Sequence, residues 1–215
     1  MSYPPKKERF ARGGAVQNEV ANLCTRFGYT ITGTGSITGQ GAPLIYTDTG
    51  KMVAHDLTIE QPATYPPLSV ALEVKGKRLY DKSIPQPELQ NGLEHSEWTP
   101  NLIYLDVHRL EYALSYREKH PTRPFLFVFK AMPRGLSYGD LDTSALICAT
   151  VEMLSGNEVY LDPETKDEYG NPNPTYLYEK RLFLPFLDFL QHGKFDVKTS
   201  VTLTIPANNN VEDAS

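Results

Sequence analysis

The sequence places a carboxylate and an ammonium group two residues apart inside an otherwise apolar run, residues 69–77 (SVALEVKGK). Side chains of a β-strand alternate between its two faces, so Glu73 and Lys75 would lie on the same face. Charged groups in a buried strand cost free energy unless they are paired with each other or with a ligand. The pattern therefore marks this run as a candidate functional site. A purely structural ion pair between Glu73 and Lys75 is the alternative.

A second carboxylate, Asp56, lies upstream in a segment that also alternates like a strand, residues 51–60. Consecutive strands joined by a short connection usually pair, and such a pair is antiparallel. We therefore predict that Asp56 lies close to Glu73. Carboxylate oxygens are the ligands that Mg²⁺ prefers, and a lysine beside them can orient an attacking water while the metal acts as a Lewis acid. Asp48 and Glu60 are the alternative carboxylates in this part of the chain.

A third carboxylate, Glu19, lies in a segment whose apolar residues have helical spacing. That spacing predicts a helix over residues 15–27, with Gly28 well placed to end it. Glu19 falls at the edge of the apolar stripe and would face whatever the helix packs on. An ordinary carboxylate at the rim of a buried helix face is the alternative interpretation.

The segments that follow residues 69–77 predict the other elements of an α/β fold. Residues 79–101 are rich in proline and loop-like. Helical spacing over residues 105–119, stopped by His120 and Pro121, predicts a second helix. The continuous apolar run 125–129 is typical of a buried central strand.

The charge of the chain is unevenly distributed. The 215 residues carry a net charge of −5, but residues 1–134 hold 16 Lys and Arg against 13 Asp and Glu, whereas residues 135–215 hold 5 against 13. Phosphate binding depends on local basic surface rather than on the sum over the chain. A nucleic-acid partner is therefore compatible with the composition, although a solvated surface with an acidic tail would give the same counts.

The composition also excludes several classes of protein. Hydrophobic residues make up 40% and aromatic residues 11% of the chain, which argues against disorder. No apolar run approaches the roughly 20 residues of a membrane helix, and the N-terminus lacks the apolar core of a secretory signal. We expect a cytoplasmic protein with no membrane partner. Two cysteines, Cys24 and Cys148, are too few for a disulfide framework or a zinc ribbon, and we expect buried thiols.

Together these carboxylates and the lysine resemble the motif of the PD-(D/E)XK nuclease superfamily, which includes restriction enzymes, Holliday-junction resolvases and repair nucleases. The match consists of Glu19 on a first helix, Asp56 on a strand and residues 73–75 (Glu-Val-Lys) on the next strand. It covers about residues 14–131, in the order helix, strands, helix, strand. The chain departs from the motif at His55, where the family often has proline.

The resemblance implies a set of roles. Asp56, Glu73 and the backbone carbonyl of Val74 would bind Mg²⁺, for which Mn²⁺ can substitute. Lys75 would serve the attacking water, and Glu19 would be an accessory acid.

The implied substrate is DNA, and basic residues near the motif are the candidates for contacting it. Lys77 and Arg78 continue the positive charge beyond Lys75. In the resembled fold the helix after the Glu-x-Lys strand carries polar residues toward the site, so Arg109 and Tyr112 are candidates for phosphate contact. A solvated helix face is the alternative for these two.

The Glu-x-Lys spacing alone is weak, because Glu164 and Lys166 repeat it. That second copy lies in a segment rich in Asp, Asn, Gly and Pro, residues 162–174, which predicts a loop. Glu73, in contrast, has apolar neighbours on both sides and a carboxylate strand before it. Context therefore assigns the functional role to the first copy.

The predicted architecture is a single domain over residues 1–215. It has an α/β, restriction-endonuclease-like core over about 14–134, in which a central mixed β-sheet is flanked by helices. A C-terminal extension spans about 135–206, and a disordered tail spans 207–215. Within the extension we expect a strand at 146–151 and an apolar helix after Pro185, for which a homodimer interface is an alternative use.

The predicted function is that of a magnesium-dependent endonuclease, a hydrolase of DNA phosphodiester bonds. The alternative is a non-catalytic nucleic-acid-binding or assembly module on the same scaffold.

Overall fold

The computed structural model describes eight segments of the chain: residues 6–34, 45–46, 52–53, 55–61, 68–78, 102–132, 146–166 and 170–192. The predicted loop at 79–101, the predicted tail at 207–215 and the side chain of Arg78 lie outside the described residues.

The described chain contains both helices and strands, with strands following one another between the first and second helices. The helices are α1 (Lys6–Arg26), α2 (Val107–Lys119), α3 (Val151–Leu154) and α4 (Phe186–His192), with a 3₁₀ helix at Lys180–Leu182. The strands are β1 (Thr30–Thr34), β2 (Ile45–Tyr46), β3 (Met52–Val53), β4 (Leu57–Gln61), β5 (Leu68–Arg78), β6 (Ile103–Asp106), β7 (Phe125–Met132), β8 (Leu146–Thr150), β9 (Tyr160–Asp162), β10 (Thr175–Tyr178) and β11 (Leu184–Pro185).

The central sheet has six strands in the order β1-β4-β5-β7-β8-β11. Strands β5 and β7 are parallel, and the other neighbours in this sheet are antiparallel. A parallel pair needs a crossover connection, and α2 lies within it. The predicted α/β class with a mixed central sheet is therefore confirmed, as is the antiparallel pairing of β4 with β5. Smaller sheets combine β6, β10 and β9, and β2 with β3.

Helices cover both faces of the central sheet. Val70, Leu72 and Val74 of β5 belong to the core packed by α1 and α4, which we call the α1 face. Ala71 belongs to the core packed by α2 and α3, which we call the α2 face. Strand β5 thus alternates as predicted, and Glu73 shares the α2 face with Ala71. A one-residue slip would move every β5 side chain to the other face, so burial of the apolar set fixes where Glu73 points.

Helix α1 ends where the sequence predicts but begins earlier, at Lys6 rather than at residue 15. Gly28 has a φ of +82°, a left-handed conformation that glycine adopts without strain. The early start had no clear signal, because Gly13 and Gly14 disfavour a helix interior by roughly 1 kcal/mol each relative to alanine. The residues before them are good helix formers, and the helix continues through both glycines.

The predicted single strand over residues 51–60 is divided in the structure. β3 pairs with β2 outside the central sheet, and β4 begins only at Leu57. Asp56 lies in a bend just before β4, where its N–H donates to the Leu72 carbonyl at 3.0 Å. Residues 56–60 alternate with period 2, and extending that strand back over the apolar residues 52–54 concealed the break.

The predicted helix over residues 105–119 also starts later. Residues 103–106 form β6, which pairs antiparallel with β10, a strand about 70 positions away in the sequence. A pairing partner this distant leaves no local pattern, so the helical spacing was extended over the strand. The predicted stop at His120 is confirmed by its position as the C-terminal cap of α2.

The C-terminal extension continues the same central sheet. β8 pairs with β7 and β11 pairs with β8, so the predicted strand at 146–151 is confirmed through Thr150. The expected helix after Pro185 is α4, whose apolar side chains join the α1-face core. Cys24 and Cys148 are buried free thiols in that core, as predicted. No helix in the described segments is long and apolar enough to cross a bilayer.

One ion pair is built into the α1 face. Lys130 of β7 has a side chain only 5% exposed, and its Nζ donates to both carboxylate oxygens of Glu19, at 2.7 and 3.0 Å. Removing the partner of a buried ammonium leaves its charge uncompensated, which is strongly destabilising. The role that this pair gives Glu19 is therefore structural, because its carboxylate neutralises the buried ammonium group of Lys130.

We predict that Glu19→Gln lowers the free energy of unfolding by about 1–3 kcal/mol, because the amide cannot neutralise Lys130. Urea denaturation measures this change. Glu118→Gln is the matched control, since Glu118 is an exposed helical glutamate and its replacement should change stability by less than about 0.5 kcal/mol. Equal stability of the two variants would contradict a structural role for Glu19.

Candidate active site

The candidate site lies where β4 begins beside β5. The N–H of Asp56 makes the last backbone bond to β5, at the Leu72 carbonyl, and its carboxylate Oδ2 accepts the N–H of Val74 at 2.8 Å. A side-chain carboxylate thus replaces the backbone carbonyl that a longer β4 would supply. In an antiparallel ladder the N–H and C=O of one residue face the same neighbour. The Val74 carbonyl therefore points toward the side on which Asp56 lies.

Glu73 and Lys75 lie next to Asp56 on the α2 face. Lys75 Nζ is 2.6 Å from Glu73 Oε1 and 3.7 Å from Asp56 Oδ2. The Glu73 side chain is 1% exposed, whereas that of Lys75 is 20% exposed. The structure thus brings together the three residues Asp56, Glu73 and Lys75, as the sequence predicts.

Helix α2 adds another cation to this cluster. Arg109, in the first turn of α2, places Nη1 3.0 Å from Glu73 Oε1, and its side chain is 24% exposed. Lys75 and Arg109 therefore approach the same oxygen of Glu73. The residue expected to contact a phosphate contacts this carboxylate instead.

The two carboxylates have opposite electrostatic environments. Burial by itself would raise the pKa of Glu73, but Lys75 and Arg109 hold that pKa below its usual range. Burial, together with the neighbouring Glu73 charge, raises the pKa of Asp56 from 3.8 to about 6. Glu73 is therefore ionised at neutral pH, and Asp56 binds a proton under mildly acidic conditions.

Lys75 remains a cation in this environment. Burial would lower the pKa of Lys75, but Glu73 and Asp56 together raise it above the ordinary value. A lysine that stays protonated can orient a water or donate to a phosphate oxygen, but it cannot accept a proton. Its chemical role is that of a donor and a fixed positive charge.

A buried, neutral histidine, His55, joins the start of β4 to α2. His55 is 1% exposed, and its ring nitrogens lie 2.8 Å from the Tyr112 hydroxyl and 2.7 Å from Thr58 Oγ1. Tyr116 and Phe125 surround the ring edge-on. Burial lowers the pKa of His55 to about 4, so the imidazole is uncharged and holds Asp56, its chain neighbour, against α2.

This arrangement corrects the prediction that Tyr112 contacts nucleic acid. Tyr112 is 1% exposed, and its hydroxyl bonds His55 inside the α2-face core. Tyrosine is amphipathic, so its position on a helix wheel did not distinguish the buried face from the solvated one. The departure from the family motif at His55 was the available signal, because a buried imidazole needs a hydrogen-bonding partner.

Lys77 also has a partner within the protein. Its Nζ lies 3.0 Å from Asp106 Oδ1 and 4.2 Å from the centre of the Tyr104 ring, and its side chain is 14% exposed. Lys77 therefore joins β5 to β6 rather than presenting a free charge to a phosphate. Asp106 was missed in the sequence, although a lysine in an apolar strand calls for an acidic partner. Burial would raise the pKa of Asp106, but Lys77 lowers it to about 2.

Glu19 is not brought to the cluster. It pairs with Lys130 on the α1 face, whereas Glu73 lies on the α2 face of the same sheet. The second Glu-x-Lys copy is separate as well. Glu164 and Lys166 are exposed, and Glu164 donates its N–H to Asp162 Oδ1.

The cluster offers oxygen atoms suited to a small divalent cation. Glu73 Oε2 is fully buried and accepts no hydrogen bond from the described residues. The other oxygen of this carboxylate, Oε1, shares Lys75 with Asp56. Within the described segments no group of three or more His, Cys, Asp or Glu side chains gathers for a metal. The carboxylates of Asp56 and Glu73 are oxygen donors of the kind that Mg²⁺ binds, one or two at a time, while water and substrate oxygens fill its other positions.

Comparison with known proteins adds no relative: no family model matches the chain, and no curated protein matches it.

We predict that Asp56→Asn becomes more stable than the wild type as pH rises from about 4 to 7, by up to roughly 2–3 kcal/mol. The raised pKa of Asp56 means that its contribution to stability is present below pH 3.8 and is lost as pH rises through about 6. His55 acts in the opposite direction, because its lowered pKa gives stability that is lost as pH falls through about 4. Because His55 is present in both proteins, the difference in stability between the variant and the wild type reports the contribution of Asp56.

Urea denaturation of both proteins across this pH range, without divalent cations, provides the measurement. A stability difference that does not change with pH would show that Asp56 is not destabilised by burial beside Glu73.

Proposed function

We propose that the protein is a magnesium-dependent endonuclease of the PD-(D/E)XK type that hydrolyses DNA phosphodiester bonds, with Mn²⁺ as a substitute metal. The observation that carries the proposal is the placement of Asp56, just before β4, beside Glu73 and Lys75 of β5. A purely structural Glu73–Lys75 pair would not require a second, half-buried carboxylate beside it, Asp56, whose pKa is raised by burial and by the charge of Glu73. Natural cores avoid such like-charge neighbours unless a function needs them.

The order of the elements supports the same proposal. α1 is followed by β1, β4 and β5, then by the crossover helix α2 and the parallel strand β7. This is the order helix, strands, helix, strand that the resemblance implies for residues 14–131.

The proposed roles follow from the contacts. Asp56, Glu73 and the Val74 carbonyl would hold the metal, which when bound supplies a Lewis acid and a more acidic water. Lys75 donates to the attacking water or to a non-bridging phosphate oxygen, and its fixed charge stabilises the negative charge that develops there. His55 keeps Asp56 in place through its bonds to Tyr112 and Thr58.

The alternative function is a non-catalytic nucleic-acid-binding or assembly module. The net charge of −5 and the pairing of Lys77 with Asp106 favour it, because both reduce the free positive charge available to phosphates. Titration calorimetry with Mn²⁺ separates the two functions. The nuclease requires a Mn²⁺ site that disappears in Asp56→Asn, and a binding module has no such site.

We predict that the purified protein cleaves DNA when Mg²⁺ or Mn²⁺ is present and that Glu73→Gln and Lys75→Met each lower the cleavage rate by at least about 100-fold. The glutamine removes a charged oxygen ligand, and the methionine removes the donor beside it. Cleavage is followed on labelled duplex, branched and single-stranded DNA, since the site does not select among them.

Glu164→Gln and Lys166→Met are the matched controls, because they change the same residue types at the same spacing in an exposed segment. Both should cleave DNA like the wild type. Undiminished cleavage in both Glu73→Gln and Lys75→Met would exclude the proposed site.

A further inference from the structure

We propose that Arg109 is an internal counter-ion that competes with the divalent cation for Glu73 and leaves this carboxylate when the metal binds. The inference rests on the proposed function, since it concerns the same metal site. It assigns to α2 a role in setting metal affinity.

The geometry distinguishes Arg109 from the other cation at Glu73. Both Lys75 and Arg109 approach Oε1 of the carboxylate, at 2.6 and 3.0 Å. Lys75 extends from the same strand as Glu73 and also lies 3.7 Å from Asp56, so it is held between two carboxylates. Arg109 comes from a different element, on a long side chain that is 24% exposed. Arg109 can therefore leave Glu73 through a movement of its own side chain, whereas Lys75 is fixed to the strand that carries Glu73.

The charge balance gives a reason for that movement. Among the described residues, the ion pairs around the site join three cations and three carboxylates, which are Lys75, Lys77, Arg109, Asp56, Glu73 and Asp106. A divalent cation at Glu73 and Asp56 adds two positive charges within a few ångströms of the guanidinium. Like charges at this distance repel strongly in a buried site. Arg109 relieves that repulsion by moving away, and proton release cannot do so because arginine stays charged.

The released guanidinium then becomes available to substrate. Its planar fork of donors matches a phosphate group, and such pairs are strong. Arg109 would thus oppose metal binding in the free protein and assist the reaction once metal and DNA are bound. A static structural pair with Glu73 would also repel the metal, but it could not assist the reaction, so the two effects together indicate release.

The matched control lies on the same helix. Arg117 also pairs with a carboxylate, with Nε 2.6 Å from Glu152 Oε1. Glu152 belongs to α3, away from the Glu73 cluster. Replacing Arg117 therefore removes the same side chain and the same kind of ion pair without changing the charge beside the metal.

The test is titration calorimetry of the full chain with Mn²⁺, comparing the wild type with Arg109→Gln and Arg117→Gln. We expect Arg109→Gln to bind Mn²⁺ at least about tenfold more tightly, because a competing positive charge is gone. Arg117→Gln should stay within about twofold of the wild type. At saturating Mn²⁺, Arg109→Gln should cleave DNA at least about tenfold more slowly.

The outcomes separate this inference from the proposed function. Wild-type Mn²⁺ binding with unchanged or weaker binding by Arg109→Gln would overturn the counter-ion role and leave the nuclease proposal standing. Absence of Mn²⁺ binding in both proteins would overturn the proposed function itself. Circular dichroism checks the fold of each variant, and loss of the folded state in both Arg109→Gln and Arg109→Met without metal would show that Arg109 is structural, which also overturns the inference.

Discussion

The buried carboxylate of Glu73 is the constraint to which the surrounding structure is fitted. A carboxylate that is 1% exposed in an apolar sheet pays a large desolvation cost, which can exceed the attraction of any one partner. Two cations share that cost, one from the same strand and one from the crossover helix. The neighbouring imidazole of His55 stays neutral. The pKa of Asp56 is raised, so this carboxylate binds a proton more readily, which reduces its repulsion with Glu73. The charges of the cluster are therefore balanced as a group rather than pair by pair.

The same charges also orient α2 on the sheet. Lys77 of β5 pairs with Asp106, and Glu73 of β5 pairs with Arg109 three residues further on. The two pairs have opposite polarity, so shifting the helix start along the strand would place like charges together. These two ion pairs position the start of α2, and the apolar residues that α2 packs against the sheet supply most of the free energy of burial. Fold and candidate site therefore depend on the same residues.

Sequence periodicity predicted the position of a residue correctly wherever that position depends only on the local pattern of apolar and polar residues. The alternation of residues 69–77 identified the two faces of β5 correctly, and the apolar run 125–129 identified β7. The convergence of Asp56 with Glu73 followed from the short connection between two strands. In these cases local geometry determines which side chains can meet.

Long-range pairing explains what periodicity could not provide. Glu19 and Lys130 are 111 residues apart, and either one alone resembles a surface charge. The sequence shows Tyr112 only as an amphipathic helix residue, because its hydrogen bond to His55 forms only in the folded structure. Asp56 divides the segment that was predicted as one strand, and its carboxylate takes the place of a backbone acceptor. Each of these contacts depends on how distant elements pack, which a local pattern does not encode.

The central claim is that Glu73 and Asp56 share a divalent cation. Anomalous diffraction from crystals of the full chain grown with Mn²⁺ tests it most directly. The account predicts an anomalous peak bonded to the carboxylates of Asp56 and Glu73 and to the Val74 carbonyl, with Lys75 beside it. A well-ordered site without a peak, in which Lys75 and Arg109 still pair with Glu73 at saturating Mn²⁺, would contradict it.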